Sequence, residues 1–584
     1  MKLSHSFRLM RQAAWPSSQI ATPELVSVRT GPRSFATWSS WVALAGIVAL
    51  AAVLRFTGLR WGIPTPEIPH YAFHPDEAWA MDVLKEIDVA TGRFNPVSAH
   101  SEGTFPFYLW TLAALVARGL GLISQLPSGI VGYGVDYRRV LYLGRAVGVV
   151  ADLASVALIY LTILKIVKDR NSALLGALIF AIFPFEVIYA HYLRGHVIAN
   201  FFTVLTIYLS TWLYEREDTR VLVAAGMAAG IAAGTRYPAA MALGIPIAFL
   251  FYKRAVVEKG LRLDLKSVWR CFVHWSYWKV GGSFLLGFLV ADPYLFLQYS
   301  SARAGLERQA EFVAKDQFTL VGLFDLSRVW VYIEYLIPYA ALPALWTLLY
   351  FGVLYVVVLR KRYPYTLPLM AFLGVYLYFI AKGYYLPVFI RGAMGGFPVL
   401  SIFAALAMGD LWRRLSGRRW LQGAVGILVA AVVGSTLFFD AAYLASMNRE
   451  DPRIQMYRYF ANEVTQPKVV IGVHDGGWDA WIFRPALDQI RNKPIEFVTD
   501  PNRLQRIIAG QDPGEVDYFI VWVNMEGEQP PAEAAMRKLS ESGRYKLERE
   551  FSNRIELFGI PFDPARRPGD LIYPFPKLYL FKRV

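Results

Sequence analysis

The sequence is nearly free of cysteine, and Cys271 is the only one among 584 residues. A single thiol excludes an internal disulfide framework and any zinc site built on several cysteines, and it argues against redox chemistry. The sequence also has no P-loop, no Rossmann glycine fingerprint, no GxSxG elbow and no HExxH motif. Soluble nucleotide-dependent or hydrolytic chemistry therefore has no recognisable motif in this chain.

Acidic residues are scarcer than basic ones, with 45 Asp and Glu against 60 Lys and Arg and a formal net charge of +15. The basic residues form short clusters between apolar runs, which is typical of membrane orientation and not of a nucleic-acid surface, so no nucleic-acid partner is predicted. Hydrophobic residues make up 55% of the chain, and the mean hydropathy is +0.35. This composition indicates a multi-pass membrane protein with a more polar end.

The apolar runs predict a polytopic α-helical membrane protein with about 11 to 13 membrane helices. The runs lie at about 38–56, 104–124, 140–164, 171–189, 194–214, 220–252, 276–297, 328–358, 364–381, 385–411 and 421–445. The predicted organisation is a cytoplasmic tail at 1–37, a transmembrane domain at 38–445 and an extracytoplasmic domain at 446–584. Within the transmembrane domain, 57–103 forms a first outer loop and 299–327 a second.

Three basic loops set the predicted orientation, because cytoplasmic loops are enriched in Lys and Arg. They are Lys253 to Arg270, Arg360 to Arg362, and Arg413 to Arg419. The N-terminus is then cytoplasmic, and both outer loops and the C-terminal domain lie outside the cell membrane. The path from the first outer loop to the first basic loop needs an odd number of crossings, but the apolar runs give six. Either 220–252 is one broken crossing or 104–124 is re-entrant, and the charges favour the second, which places Arg145, Arg194 and Arg236 near the outer face.

The stretch His74-Pro75-Asp76-Glu77 follows the first apolar run and carries the best candidates for chemistry. Pro75 suits the first position of a helix, and Asp76 and Glu77 fall in its first turn, where acids complement the helix dipole. The residues that follow predict an amphipathic helix on a membrane surface. Neighbouring acids can raise each other's pKa, so one of them could accept a proton from a hydroxyl, although a plain helix start fits the same residues. His74 and the two acids could also bind a divalent cation, but the sequence shows no second ligand cluster.

Arg194 and Arg236 each interrupt an apolar run. Placing a guanidinium within a membrane span costs at least about 2.5 kcal/mol, so each arginine needs an anionic partner. That partner could be a protein carboxylate, a bulk lipid headgroup or the phosphate of a bound lipid. Between the two arginines, Gly226, Gly230 and Gly234 predict close helix packing.

The segment 446–584 has no span and alternates strands with helices, which predicts a small α/β domain. Strands are predicted at 468–473, 516–523 and 554–560, and helices at 452–464 and 531–542. His474 to Asp479 follows a strand, and without a matching nucleophile it is predicted to be a turn.

The order and spacing of several segments resemble the GT-C glycosyltransferases, in particular the bacterial branch related to protein O-mannosyltransferases and aminoarabinose transferases. These segments are HPDE at 74–77, TFPFYLW at 104–110, LGRAVG at 143–148, FPFEVIYAHYLRGHV at 183–197, AAGTRYPAAMAL at 232–243 and DPR at 451–453. The resemblance covers nearly the whole transmembrane domain. One departure is Thr104-Phe105-Pro106, which stands where many relatives have a basic residue and paired prolines.

The resemblance implies inverting transfer of a sugar from a polyprenyl-phosphate donor to a hydroxyl acceptor on the outer face of the membrane. It implies Asp76 as the general base, with Glu77 alongside. The substrate-binding candidates are His74, Arg145, Arg194 and Arg236. The implied partners are the lipid-linked donor, an acceptor of unknown type and membrane lipid, and a divalent cation is left open as a cofactor.

Two other functions fit a multi-pass membrane protein. A transporter or flippase of lipid-linked sugars is expected to show internal repeats and ionisable residues in mid-span, whereas this sequence shows an acidic pair in a loop and no repeat. A non-catalytic membrane scaffold with an outer binding domain leaves the three arginines unexplained. A substitution of Asp76 separates these alternatives, because only a transferase should lose turnover while its fold stays intact.

Overall fold

Helices dominate the chain up to residue 462, and within the described residues the strands follow beyond it. The computed structural model describes residues 33–65, 70, 72–258, 269, 273–311, 319–359, 363–383, 389–466, 468–473, 495–512, 516–523, 529–562 and 569–584. The chain divides into two units, Met1–Val42 and Ala43–Val584. The described part of the first unit is the beginning of a helix. That helix continues to Phe56, and the features described below from residue 57 onward belong to the second unit.

The described residues of the first half of the chain form mainly α-helices. They are α1 (Arg33–Phe56), α2 (Pro75–Glu86), α3 (Phe105–Gly119), α4 (Val135–Val167), α5 (Arg170–Ala181), α6 (Pro184–Tyr189), α7 (Gly195–Glu215), α8 (Thr219–Thr235) and α9 (Gly244–Phe251). Shorter 3-10 helices lie at Val97–Ser101, Pro127–Gly129 and Tyr237–Leu243, and a π-helix lies at Tyr252–Glu258.

The second half of the chain continues with helices of very different lengths. They are α10 (Trp275–Ala291), α11 (Tyr294–Leu297), α12 (Tyr299–Glu311), α13 (Leu320–Phe324), α14 (Ser327–Val331), α15 (Ile337–Leu359), α16 (Thr366–Gly383), α17 (Phe397–Arg414), α18 (Arg419–Met447) and α19 (Pro452–Asn462). A π-helix lies at Tyr332–Leu336 and a 3-10 helix at Ile390–Gly396. The helix α12 lies at the start of the predicted second outer loop.

Six helical segments in the described part of the chain are long and apolar enough to cross a membrane. They are Trp38–Phe56, Val135–Val167, Gly195–Glu215, Thr366–Gly383, Ile390–Arg414 and Arg419–Asn462. Three shorter apolar helices accompany them, at Arg170–Ala181, Thr219–Thr235 and Ala344–Leu359. The multi-pass membrane fold is therefore confirmed, while the total number of crossings and their orientation stay predictions. The helix α3 has 15 residues, fewer than the ~20 that a crossing needs, which favours the re-entrant alternative for 104–124.

The predicted helix start at Pro75 is confirmed, but the helix does not lie free on a surface. Met81, Val83 and Leu84 of α2 are almost completely buried. They belong to one apolar cluster with residues of α3 and α4, such as Phe107 and Leu141. The apolar face of α2 is therefore covered by neighbouring helices, because protein side chains replace lipid as its packing partner.

The glycines of α8 confirm the prediction of close helix packing. A Cβ atom on Gly230 would lie 2.1 Å from the carbonyl oxygen of Phe284 in α10, and one on Gly226 would lie 2.4 Å from that of Val280. Only glycine allows the two backbones to come this close. The helix α8 ends at Arg236, whose φ of −150° and ψ of 121° break the predicted run 220–252.

The C-terminal residues confirm the predicted α/β fold. The strands are β1 (Val469–Val473), β2 (Ile495–Val498), β3 (Tyr518–Val523), β4 (Tyr545–Ser552), β5 (Glu556–Leu557), β6 (Ile560–Pro561) and β7 (Lys577–Arg583), with helices α20 (Pro501–Ile508), α21 (Gln529–Glu541) and α22 (Gly569–Ile572). Five strands form one sheet in the order β2-β1-β3-β7-β4. Strands β2, β1 and β3 are parallel, and β7 pairs antiparallel with β3 and β4.

Some sequence predictions differ from the structure in detail. The strand predicted at 554–560 is two short strands, β5 and β6, which pair with each other around a tight turn. The strands β2, β4 and β7 were not predicted, because β2 has only four residues and β4 is mostly exposed. The predicted turn at His474 to Asp479 and the basic loop at Arg360 to Arg362 lie outside the described residues.

Candidate active site

The first turn of α2 directs its two acids to different places. His74 is the N-cap residue, and its Nδ1 accepts a hydrogen bond from the backbone N–H of Asp76 at 3.2 Å. Pro75 occupies the first helical position. Consecutive residues of a helix point about 100° apart, so Asp76 and Glu77 cannot face the same partner.

Glu77 forms a closed ion pair with Arg145 of α4. The two side chains are fully buried and make two parallel hydrogen bonds, Nε to Oε1 at 2.8 Å and Nη2 to Oε2 at 2.6 Å. Glu77 also accepts a hydrogen bond from the backbone N–H of Leu193. The remaining Nη1 of Arg145 donates to the carbonyl oxygens of Leu59 and Trp61, at 2.7 Å each. This geometry joins three segments of the chain, and no polar atom of the pair faces open space.

Asp76 begins a second, more open chain of ion pairs. Its Oδ2 lies 3.3 Å from Nη2 of Arg194, which lies 2.6 Å from Oε1 of Glu102. The other oxygen of Glu102 lies 2.5 Å from Nη1 of Arg236. The side chain of Asp76 is 31% exposed, whereas that of Arg194 is nearly buried. The structure thus brings together three of the predicted residues and adds Glu102 between the two arginines.

Local backbone geometry explains why these groups converge. Arg194 directly precedes α7 and Arg236 directly follows α8, so both arginines stand at helix ends on the side of α2. Glu102 is held by its carbonyl oxygen, which accepts a hydrogen bond from the N–H of Tyr237 at 3.2 Å. Gly103, with a φ of +133°, passes so close to α8 that a Cβ atom would lie 2.7 Å from two carbonyl oxygens. A larger residue at this position would push Glu102 away from the arginines.

The charged groups in this chain of ion pairs shift one another's pKa values. Burial opposes the ionisation of Asp76, but the guanidinium groups of Arg194 and Arg391 outweigh burial and hold its pKa well below the usual range. Burial likewise opposes ionisation of Glu102, and Arg194 and Arg236 lower its pKa. Burial lowers the pKa of His74 to about 3, so this ring is neutral near pH 7. Its Nε2 has no hydrogen-bond partner among the described residues.

Besides Glu102, Arg391 and Asp570 belong to the site and were not predicted from the sequence. Arg391 lies at the start of a buried 3-10 helix, and its Nη1 lies 2.6 Å from Oδ1 of Asp570. Arg391 interrupts the apolar run 385–411, so the criterion that selected Arg194 could have found it. Asp570 lies far away in the C-terminal domain, and no local pattern marks it.

Three cavities of the described structure share Arg236 as a wall. One is also lined by His196, Asn200 and Arg391. A second reaches Glu102 and Arg194, and a third has a mostly apolar wall. The apolar wall includes Met241, Phe379 and Ile380. The arrangement is suited to an amphiphilic ligand with an anionic group at the arginines.

The polar cavity has groups that can still accept or donate hydrogen bonds. Nδ2 of Asn200 donates to Oε1 of the buried Glu186 at 2.9 Å, and this bond fixes the orientation of the amide. Within the described part of the chain, Oδ1 of Asn200 and both ring nitrogens of His196 have no partner. Buried polar atoms without partners are costly, so a ligand with hydroxyl groups would satisfy them.

A divalent cation has no evident place in this site. The described residues contain no group of three or more His, Cys, Asp or Glu that could hold a metal ion. The carboxylates near Asp76 are already paired with arginines, which compete with any cation for the same oxygens. The divalent cation therefore stays an open prediction.

A family model matches the middle of the transmembrane domain. It is the model of dolichyl-phosphate-mannose-protein mannosyltransferase, and it matches residues 141–278. This range is about a quarter of the chain and includes Arg145, Arg194 and Arg236. The chain is mannosyltransferase-like. The sequence resemblance to the protein O-mannosyltransferase branch of the GT-C glycosyltransferases is thereby confirmed, while Asp76, Arg391 and Asp570 lie outside the matched range.

Solved structures similar to this chain include three enzymes. The oligosaccharyltransferase of Archaeoglobus fulgidus in its apo form is 14% identical, with a TM-score of 0.47 over 93% of this chain and 78% of that one. ArnT from Cupriavidus metallidurans bound to undecaprenyl phosphate is 14% identical, with a TM-score of 0.43 over 93% and 98%. The Pmt1-Pmt2 complex of S. cerevisiae bound to the sugar donor is 16% identical, with a TM-score of 0.33 over 45% and 34%. No curated protein sequence matches the chain. The structural similarities are too low to assign roles to individual residues.

Proposed function

We propose that this chain transfers a sugar from a polyprenyl-phosphate donor to a hydroxyl acceptor on the outer face of the membrane, with inversion at the anomeric carbon. The observation that carries the proposal is the open chain of ion pairs from Asp76 to Arg236, which borders both a polar and an apolar cavity. The match to a mannosyltransferase family model supports glycosyl transfer from a lipid-linked sugar. The outer-face location rests on the predicted orientation.

The donor phosphate fits between Arg194, Arg236 and Arg391. Arginine binds phosphate oxygens through two parallel N–H groups. In the free protein, Glu102 engages Arg194 and Arg236, and a phosphate can replace this carboxylate. When the bond between the anomeric carbon and the phosphate oxygen breaks, negative charge grows on that oxygen. The guanidinium groups are already in place to stabilise this charge.

Asp76 is the proposed general base. The acceptor hydroxyl forms the new bond to the anomeric carbon, its proton passes to Asp76, and the bonding electron pair leaves with the polyprenyl phosphate. In the free protein, Arg194 and Arg391 make Asp76 a weak base, because they stabilise its ionised form. A bound donor phosphate neutralises part of that positive charge, so donor binding raises the basicity of Asp76 at the moment of reaction.

The cavities give each part of the donor a place. The polar cavity with His196 and Asn200 is proposed to hold the sugar, whose hydroxyl groups would satisfy the free nitrogen and oxygen atoms. The larger cavity, with Met241, Phe379 and Ile380, is proposed to hold the first isoprenoid units. Arg236 borders both cavities, as required of a group that binds the phosphate between sugar and lipid.

Release of polyprenyl phosphate from a panel of polyprenyl-phosphate sugars tests this function. The purified full-length protein in lipid is compared with Asp76→Asn. We expect wild-type turnover with at least one donor and a loss of about 10² to 10⁴-fold in the variant, the usual contribution of a general base. The melting temperature of the variant should match that of the wild type.

Asp82→Asn is the matched control, because Asp82 lies on the same helix, is exposed and pairs only with Lys85 among the described residues. It should keep wild-type turnover. Equal turnover in wild type and Asp76→Asn would remove Asp76 as the base and direct attention to Glu77. A protein that folds, yet releases no polyprenyl phosphate from any donor, would favour the transporter and scaffold alternatives.

A further inference from the structure

The segment 569–576 connects the C-terminal sheet to the candidate active site. It contains α22 and leads directly into β7, which lies between β3 and β4 in the interior of the sheet. Its residues Asp570, Tyr573 and Phe575 are buried. A segment fixed to an interior strand cannot move independently of the domain, so its side chains have defined positions.

Asp570 contacts Arg391 twice. Its Oδ1 accepts a hydrogen bond from Nη1 at 2.6 Å, and its Oδ2 accepts one from the backbone N–H of Arg391 at 3.1 Å. The carboxylate therefore holds both the guanidinium and the backbone at the start of the 3-10 helix. Asp570 is fully buried, and a buried carboxylate is stable only when it is paired in this way.

Other contacts of the segment fix it against the HPDE stretch. The ring of Tyr573 lies 4.3 Å from the ring of His74, centroid to centroid. The carbonyl oxygen of Tyr573 accepts a hydrogen bond at 2.8 Å from Arg453, whose guanidinium lies 4.0 Å from the ring centroid of Phe73. Arg453 is in turn paired with Asp451 at 2.7 Å. The DPR motif at 451–453 therefore links the first outer loop to the end of the C-terminal domain.

Arg391 has more hydrogen-bond donors than Asp570 uses. A guanidinium has five N–H groups, and those on its other edge are free of Asp570. Arg391 also lines the polar cavity, and its charge acts on Asp76. The charge of Asp76 also acts on this guanidinium. Without Asp570, a pair between Arg391 and Asp76 would block both the base and the phosphate site.

We propose that Asp570 is a positioning residue that holds Arg391 in the orientation needed to bind the donor phosphate, so that the C-terminal domain supplies part of the active site. This inference rests on the proposed function, because it assigns the phosphate of a lipid-linked donor to Arg391. It gives the domain a role that neither its fold nor its surface indicates.

Binding of a short-chain polyprenyl phosphate to the full-length protein in lipid tests the proposal. We compare wild type, Asp570→Ala, Arg391→Ala and the double variant, with the uncharged polyprenol as the reference ligand. Each single substitution should weaken phosphate binding by about tenfold, as expected for a hydrogen bond to a charged group. The double variant should bind no more than about twofold more weakly than Arg391→Ala, because Asp570 acts only through Arg391.

A structural role of Asp570 would give a different pattern. If Asp570 only anchored the domain, its substitution would lower the stability of the protein. The losses of phosphate affinity in the two single variants would then add in the double variant. Glu556→Gln is the matched control, since it removes the ion pair between Glu556 and Arg449, which lies just beyond the end of α18. This control should leave phosphate binding unchanged. If the alanine variant does not fold, Asp570→Asn replaces it in the test. Asparagine keeps the side-chain volume and one acceptor oxygen, so this variant should retain the fold and lose phosphate affinity by a smaller factor.

The outcomes separate this inference from the proposed function. In one outcome, the wild-type protein binds and turns over a donor while Asp570→Ala and Asp570→Asn have the same KM and phosphate affinity as wild type. That result would overturn the positioning role alone. A higher KM with a smaller change in kcat would support it, since donor binding is the affected step. Wild-type protein that neither binds polyprenyl phosphate nor turns over any donor would overturn both proposals.

Discussion

Asp76 and Glu77 are neighbours in the first turn of α2, yet they lie in two different electrostatic environments. Glu77 is fully buried and bonded through both oxygens to Arg145 and to a backbone N–H. Asp76 is 31% exposed and meets Arg194 through a single longer contact of 3.3 Å. The first arrangement is closed to ligands, whereas the second borders cavities and contains groups that a ligand can displace.

The difference shows how one helix start can serve two purposes. The closed pair fixes α2 to α4 and to the loop before α7, so it holds the helix in place. The open chain has charges that balance each other only in the absence of a ligand, because Glu102 occupies both Arg194 and Arg236. A rigid pair beside an exchangeable set is the arrangement expected of a preorganised site for an anion.

The largest expected effect is on the closed pair. Glu77→Gln leaves Arg145 buried without its counter-charge, which should destabilise the protein by about 3–5 kcal/mol. The melting temperature of the purified protein in lipid should fall markedly, whereas Asp76→Asn should change it little. A Glu77→Gln protein that melts like wild type but has lost turnover would contradict the distinction and would restore Glu77 as a catalytic candidate.

The double variant Glu77→Gln with Arg145→Met sharpens this test. Removing both charges avoids a lone buried ion, so part of the lost stability should return. Turnover should recover in proportion to the folded fraction, since neither residue of the closed pair lines a cavity proposed for the donor. Full stability without turnover would instead indicate that the pair has a second role in the chemistry.

The next effect concerns the pH dependence of the open chain. Arg194 contributes most among the charges that lower the pKa of Asp76. The wild type should therefore show no acid limb due to Asp76 in kcat/KM between about pH 5 and 7. In Arg194→Met the pKa of Asp76 rises, and kcat/KM should fall by about tenfold for each pH unit below the new value. Parallel profiles for wild type and variant would show that Asp76 does not carry the reacting proton.

His74 provides a smaller effect with a defined sign. Burial lowers the pKa of its ring to about 3 in the folded protein, against 6.5 in the unfolded chain. Between these values the unfolded chain binds the extra proton, so stability falls as the pH falls through this window. A single such group should cost about 2 kcal/mol between pH 7 and pH 5.

His74→Asn removes this acid sensitivity and keeps a good N-cap residue before α2. The melting temperature of the variant should therefore fall less steeply than that of wild type between pH 7 and pH 5. The slope should not vanish, because burial also lowers the pKa of His191 to about 4. Equal slopes would mean that His74 is not buried as a neutral ring.

Local rules predicted much of this site, and long-range contacts account for what was missed. The helix start at Pro75 and the glycine packing of α8 follow from neighbours in the chain, so the sequence was sufficient for them. The need of Arg194 and Arg236 for an anion was predicted, but their partner Glu102 was not. Its position depends on the close approach of Gly103 to α8, which no local pattern reveals.

The C-terminal domain shows the same limit more strongly. Its α/β class followed from alternating strands and helices, whereas the contact between Asp570 and Arg391 joins residues 179 positions apart. Asp570 has no sequence neighbour that marks it, because its partner lies in another part of the fold. Arg391, in contrast, was visible as an arginine within an apolar run and could have been added to the candidates.

The smallest expected effect tests whether the open chain is exchangeable. Glu102→Gln removes the carboxylate that competes with a phosphate for Arg194 and Arg236, so polyprenyl phosphate should bind a few-fold more tightly, by roughly 1 kcal/mol. Titration of the full-length protein in lipid measures this, with Glu307→Gln on the exposed face of α12 as the control. Weaker binding would mean that Glu102 orients the arginines and is not displaced by the phosphate. The open chain of ion pairs would then be a fixed set of contacts, like the closed pair.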